Sequence, residues 1–132
     1  MYLSEEDICR INADLIASFG GWQVSYPNLR AGFDLRYMLD AIRHPVFGVD
    51  LFQSAIDKAA GMAWYLITRH PFHDTNKRTA LESAIEFLEI NGFYTRFAPA
   101  DVIVTVIRAS DGDLTYQEFR NWIAANASRE SV

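Results

Sequence analysis

The sequence predicts an all-α domain of about six helices, and three observations carry that prediction. Apolar residues recur every three to four positions through most of the chain, capping signals precede several of these segments, and Gly or Pro breaks follow them. Ser4 opens a Ser-x-x-Asp capping box to Asp7, after which Ile8, Ile11, Leu15 and Phe19 keep helical spacing until Gly20-Gly21. From Trp22 to Gly32 the turn residues Pro27, Asn28 and Gly32 surround Val24 and Tyr26, which predicts a loop able to adopt extended structure. A short helix is expected from about Asp34 to Arg43, ended by Pro45 and Gly48. Asp50 is expected to cap the clearest helix, in which Leu51/Phe52, Ala55/Ile56, Ala59, Met62/Ala63 and Leu66/Ile67 form one stripe that stops before Pro71. Leu81, Ala84/Ile85 and Leu88 repeat the pattern, with Glu82, Glu86 and Glu89 on the wetter side and Asn91-Gly92 as a C-terminal cap. These two helices are the expected centre of the fold. The run Val102 to Ile107 suits a strand by its β-branched composition, but the spacing of Val102, Ile103, Val106 and Ile107 after Pro99 favours a helix. A last helix is expected from a Thr115-x-x-Glu118 capping box through Phe119, Trp122 and Ile123.

A length of 132 residues without repeat or linker is that of one domain, taken as residues 1–132. Half the residues are hydrophobic and 22% are charged, which predicts a packed core rather than disorder. The 12 Lys and Arg are outnumbered by 17 Asp and Glu, a net −5 that argues against a binder of nucleic acid or of an anionic membrane. Cys9 has no partner for an internal disulfide and is read as a small buried side chain. No signal peptide precedes the first helix, and no apolar stretch approaches the roughly 18 residues of a membrane span. A soluble, cytoplasmic protein is expected.

The unusual stretch joins the two central helices: Arg69-His70-Pro71-Phe72-His73-Asp74-Thr75-Asn76-Lys77-Arg78. Its second half begins a helix, so free backbone N–H groups and the positive end of the helix dipole meet two cations, Lys77 and Arg78. That combination binds phosphate. A histidine beside such a site, His70, is the side chain suited to take a proton from a hydroxyl that attacks phosphorus. Asp74, a hard oxygen ligand one turn away, is suited to the Mg²⁺ that accompanies nucleotide phosphates. Three cations face one carboxylate here, a local positive charge inside an acidic chain.

The run His70-Pro71-Phe72-His73-Asp74-Thr75-Asn76-Lys77-Arg78-Thr79-Ala80 resembles the signature of the Fic/Doc superfamily, in the form carried by death-on-curing (Doc) toxins. The resemblance spans most of residues 4–126 and is most specific over residues 64–93. It implies a compact helical domain with the active-site loop between the two central helices and a short flap within residues 22–48. His70 would be the base acting on a Ser, Thr or Tyr hydroxyl, and Asp74 would bind the metal. Asn76 and Arg78, with the backbone at Thr75 and Lys77, would cradle the phosphates of ATP, and Phe72 would anchor the loop in the core. Arg30, Ala31, Gly32 and Phe33 would lie in the flap, which pairs with a target peptide by strand addition.

Departures from the pattern bear on the reaction. Adenylylating relatives carry a second Gly where this chain has Lys77 and a second Arg where it has Leu81. The Lys77 form goes with transfer of the terminal phosphate, so the resemblance implies a protein kinase with elongation factor Tu as the suggested target. Adenylyl transfer, or nucleotide and partner binding without turnover, are the alternatives. Thr75 departs as well, since Ala or Gly is usual there, and its β-branch is expected to narrow the pocket. The inhibitory pattern [Ser/Thr]-x-x-x-Glu-[Gly/Asn] is not met from Ser4, Ser83 or Thr115, which lead to Ile8, Phe87 and Phe119. Inhibition is therefore expected in trans, from a Phd-like antitoxin.

Two other readings compete. His44, His73-Asp74 and Asp101 mimic the metal-binding set of an HD-type phosphohydrolase, which leaves Asn76-Lys77-Arg78 unexplained. Asp111-Gly112-Asp113 with Glu118 resembles half of a calcium loop, but its first two ligand positions fall on Ile107 and Ala109. A turn followed by a helix cap is the simpler expectation.

Overall fold

The computed structural model describes residues 1–44 and 52–129. Among these, six α-helices and one two-stranded sheet follow in the order α1 (Glu5–Phe19), α2 (Arg36–Arg43), α3 (Ala55–Arg69), α4 (Asn76–Ile90), β1 (Tyr94–Thr95), α5 (Pro99–Ser110), α6 (Tyr116–Ala125) and β2 (Ala127–Ser128). This is the all-α architecture that the apolar periodicity predicts. α3 and α4 form the central pair, α1 packs on α4, and α2, α5 and α6 pack on α3. Small buried residues, Ala59, Ala60 and Ala63 on α3 with Ala80 and Ala84 on α4, let these helices approach closely, while Leu66, Ile67, Leu88 and Phe119 fill the core between them. Gly61 leaves no room for a Cβ, which would lie 2.3 Å from the Phe52 ring.

Local capping chemistry decides most helix starts. The Ser4–Asp7 box closes in both directions, with the Asp7 amide donating to Ser4 Oγ at 3.1 Å and the Ser4 amide to Asp7 Oδ2 at 2.8 Å. The same exchange between Thr115 and Glu118 starts α6, so the Asp111–Gly112–Asp113 stretch is the turn that precedes a cap. α3 starts later than expected. Its cap is Ser54, boxed with Asp57, and the proposed cap Asp50 lies outside the described residues, as do Leu51 and the Pro45–Gly48 break. α2 likewise begins at Arg36, whose amide donates to the Asp34 carboxylate at 3.0 Å. Thr75, one residue after Asp74, stands at the N-cap position of α4 without a side-chain capping bond.

The ambiguous Val102–Ile107 run is helical, started by Pro99 at its first turn. Val106 and Ala109 are its buried residues while Ile103, Val104 and Ile107 stay exposed. β1 and β2 pair antiparallel, Tyr94 opposite Ser128 and Thr95 opposite Ala127, and bring the end of α6 back to the end of α4. Cys9 is buried in α1, and burial, reinforced by Glu5 and Glu6, pushes its thiol up to about 11, so it stays protonated. No helix among the described residues is long and apolar enough to cross a membrane.

Candidate active site

The connection between α3 and α4 turns sharply at both ends. His70, the C-cap of α3, has φ 49° and ψ 57°, and Thr75, the N-cap of α4, has φ 66° and ψ 29°. Left-handed backbone costs a non-glycine residue of order 1–3 kcal/mol, so surrounding contacts must hold both turns. Between them Pro71 is fully buried and Phe72 is 1% exposed, placing the ring in the core against both central helices. The Asn76 side chain closes the loop on itself: its Oδ1 accepts the Phe72 amide and its Nδ2 donates to the Phe72 carbonyl, both at 2.9 Å.

α1 supplies a second anchor. Asn12, 0% exposed, donates from Nδ2 to the Asp74 carbonyl at 2.9 Å and to Thr79 Oγ1 at 3.0 Å, and Thr79 Oγ1 in turn donates to the Thr75 carbonyl at 2.6 Å. The segment after α1 supplies a third. Leu29 forms an isolated antiparallel bridge with Phe72, in which the Arg30 amide donates to the Pro71 carbonyl and the His73 amide to the Asn28 carbonyl. Asn28 is buried and holds its own turn, accepting from the Val24 amide and donating to the Trp22 carbonyl.

These anchors shape an open pocket of about 470 Å³ lined by His70, His73, Asp74, Thr75, Asn76, Lys77 and Arg78, with Phe19 and Gly20 at its edge. The first bond of α4 runs from the Thr79 amide to the Thr75 carbonyl, so the amides of Asn76, Lys77 and Arg78 precede the helical ladder and remain available as donors. Lys77 and Arg78 are exposed there, and the Arg78 guanidinium sits 4.7 Å over the Phe19 ring. Cations, helix dipole and orphan amides thus share one concavity, the arrangement that binds phosphate oxygens. His70 is half-buried on its wall. Burial, with Lys77 and then Arg30 adding to it, lowers the pKa of its imidazole below the ordinary 6.5 and favours the neutral, proton-accepting form.

Both Asp74 oxygens accept backbone amides, Oδ1 from Thr75 and Oδ2 from Trp22, each at 2.7 Å. Each oxygen keeps a further lone pair. As the one carboxylate lining the pocket, Asp74 suits a Mg²⁺ that carries most of its ligands with it as phosphate and water rather than a resident all-protein metal site. Consistent with this, the described residues contain no group of three His, Cys, Asp or Glu able to hold a metal. His44 and Asp101 do not line the pocket of His73 and Asp74, so the set needed for the HD-type reading is not assembled.

Of the four residues expected in the flap, Arg30 is the one that hydrogen-bonds to the motif loop. Ala31 and Gly32 are exposed in a turn closed by the Phe33 amide on the Arg30 carbonyl, and Phe33 lies 5.2 Å beneath the Arg30 guanidinium. The Asn76 side chain is committed to Phe72, which leaves its backbone amide as its route to a phosphate. Asn12, Asn28 and Gly21 form a support that periodicity does not reveal. Gly21 has φ 144°, and a Cβ on it would lie 3.0 Å from Thr75 Oγ1 and 3.2 Å from Asp74 Oδ2. Thr75, a β-branched residue in left-handed backbone, is the strained member of the set. Thr75→Gly is expected to raise stability by about 1 kcal/mol, read as a higher urea midpoint with an unchanged slope.

The sequence matches the Fic/DOC family over residues 2–88, which include His70, the loop after it and most of α4. It is also 36% identical over 94 residues to a protein named Toxin Doc from Mycolicibacterium smegmatis (strain ATCC 700084 / mc(2)155). That alignment covers 69% of this chain and 65% of the relative's own length. With the family match spanning more than half of the chain and containing the whole His70–Arg78 loop, the protein belongs to the Fic/DOC family.

Proposed function

We propose that the protein is the toxin of a toxin–antitoxin module and acts as a protein kinase, transferring the γ-phosphate of ATP to a hydroxyl side chain of a translation factor and so blocking translation. The observation that carries this reading is the shared pocket, in which a neutral-favouring His70 faces the cationic N-terminus of α4. The imidazole takes the proton of the incoming hydroxyl as its oxygen bonds to the γ-phosphorus and the bond to the ADP oxygen breaks. Arg78, Lys77 and the amides at the start of α4 hold phosphate oxygens, with Thr75 bordering them. Asp74 is the carboxylate available to Mg²⁺, which when bound neutralises charge between phosphates.

Lys77 and Leu81 support phosphoryl over adenylyl transfer. Both also line an apolar groove of about 650 Å³ that shares Phe19, Lys77 and Arg78 with the pocket, and the chain offers neither the small residue nor the second guanidinium at these two positions. The name of the Mycolicibacterium relative supports the toxin reading. Elongation factor Tu is the candidate target, a Phd-like antitoxin the expected inhibitor in trans, and the cytoplasm the compartment in which they would meet.

The test incubates the purified protein with elongation factor Tu and ATP labelled separately at the α- and γ-phosphates. Label passing only from γ supports the kinase. Label passing from α means adenylylation and removes the role given to Lys77, and transfer to no protein in a cell lysate favours a binding module.

A further inference from the structure

We propose that Arg30 is a positioning residue for His70, its guanidinium tying the end of α3 to the extended segment at residues 28–30 and thereby coupling the flap to the base. The Arg30 Nη1 donates to the His70 carbonyl at 2.8 Å, and the Arg30 backbone amide donates to the next carbonyl, Pro71, also at 2.8 Å. One residue therefore satisfies two successive carbonyls at the point where α3 ends. Those carbonyls lie at the negative end of the helix dipole, where a cation is favoured. His70 needs such a brace because its left-handed backbone is not its relaxed state, and a loose φ and ψ would swing the imidazole away from the pocket. The neighbouring bond from the His73 amide to the Asn28 carbonyl makes the brace continuous on both sides of Phe72. Alternate residues of an extended segment turn their backbone groups to opposite sides. Asn28 and Arg30 thus face the motif loop, and the Leu29 amide and carbonyl face the other way.

Charge adds to geometry. The titratable and charged groups around His70 are Lys77 and Arg78 from α4, Asp74 and His73 from the loop, Arg69 from its own helix and Arg30 from the flap. Asp74 is turned onto the Trp22 and Thr75 amides, so the cations dominate the field at the imidazole. After burial and Lys77, Arg30 is the next contributor to holding His70 neutral. The side chain is exposed, and the Phe33 ring beneath its guanidinium holds it over the loop.

The proposal rests on the reading of His70 as the base, and its test separates the two. Nuclear magnetic resonance titration of the free protein reads the His70 imidazole without any transfer reaction. Arg30→Gln is expected to raise the His70 midpoint toward 6.5, while Arg30→Lys, which keeps the cation, holds it near the native value. In the transfer assay Arg30→Gln is expected to lower kcat and move the acid limb of the kcat/KM pH profile upward, with the KM for ATP at neutral pH unchanged. A native His70 midpoint in Arg30→Gln, or a Lys variant that titrates like the Gln variant, overturns the proposal. Absence of transfer by the native protein overturns the kinase reading alone, because the titration still decides the place of Arg30.

Discussion

Replacing His70 by alanine is expected to lower phosphoryl transfer by about 10²–10⁴-fold, the range that a positioned general base contributes. Nucleotide affinity, measured by calorimetry, should change little, since the proposed phosphate donors are Lys77, Arg78 and the amides at the start of α4. The loss should therefore fall on kcat rather than on KM, the mark of a group acting in the transition state. Growth inhibition should disappear with it. The pH dependence follows from the same side chain. A general base works only when unprotonated, so activity falls as pH drops through its pKa. Burial, Lys77 and Arg30 place that pKa below the ordinary 6.5 in the free protein, so the acid limb of kcat/KM should lie below that value. Toxicity that survives His70→Ala would refute the base assignment. A pattern in which His73→Ala abolishes activity and His70→Ala does not would point instead to paired His–Asp metal chemistry.

Much of this architecture was legible because its determinants are local. The boxes Ser4–Asp7 and Thr115–Glu118 each occupy four residues, and they start helices where the sequence alone places them. The start of α3 differs from the expected one for an equally local reason: Asp50 and Ser54 are both good cap residue types, and Asp57 three residues after Ser54 completes a box with it. The site could be read because the family signature is contiguous, so that one loop and one helix turn bring His70, Asp74, Lys77 and Arg78 together. Its supports could not be read. Asn12 reaches Asp74 across 62 positions and Arg30 reaches His70 across 40, and nothing in the spacing of either residue announces the contact. Thr75 runs against local rules, since a β-branched residue at positive φ is predicted nowhere by propensity. Such a conflict is expected where a loop is shaped for a ligand rather than for relaxation.

Asn12→Asp should be the most destabilising single-atom exchange near the site, costing about 3 kcal/mol or more at pH 7. The native amide gives both of its described bonds as a donor, to the Asp74 carbonyl and to Thr79 Oγ1. The Thr79 hydroxyl has already given its proton to the Thr75 carbonyl, so an aspartate at this fully buried position would meet acceptors only. Its Oδ1 in the native protein has no partner, which shows that no donor waits on that side either. Asn12→Ala loses the same two bonds but also removes that unpaired oxygen, and should cost about 1–2 kcal/mol. The two variants differ in their response to pH. Desolvation raises the folded-state pKa of the new carboxyl above its unfolded value of about 3.9. The penalty is therefore complete above the raised pKa and shrinks as pH falls through it, because a protonated carboxyl can donate to the Asp74 carbonyl. Urea midpoints at pH 7 and pH 4.5 should then converge for Asn12→Asp and Asn12→Ala at the lower pH and diverge at the higher. Equal midpoints at both values would mean that Asn12 does not hold the start of α4 through its amide. Divergence with loss of transfer, in a protein still folded at the assay temperature, would place the register of the amides at the start of α4 under the control of a side chain on α1.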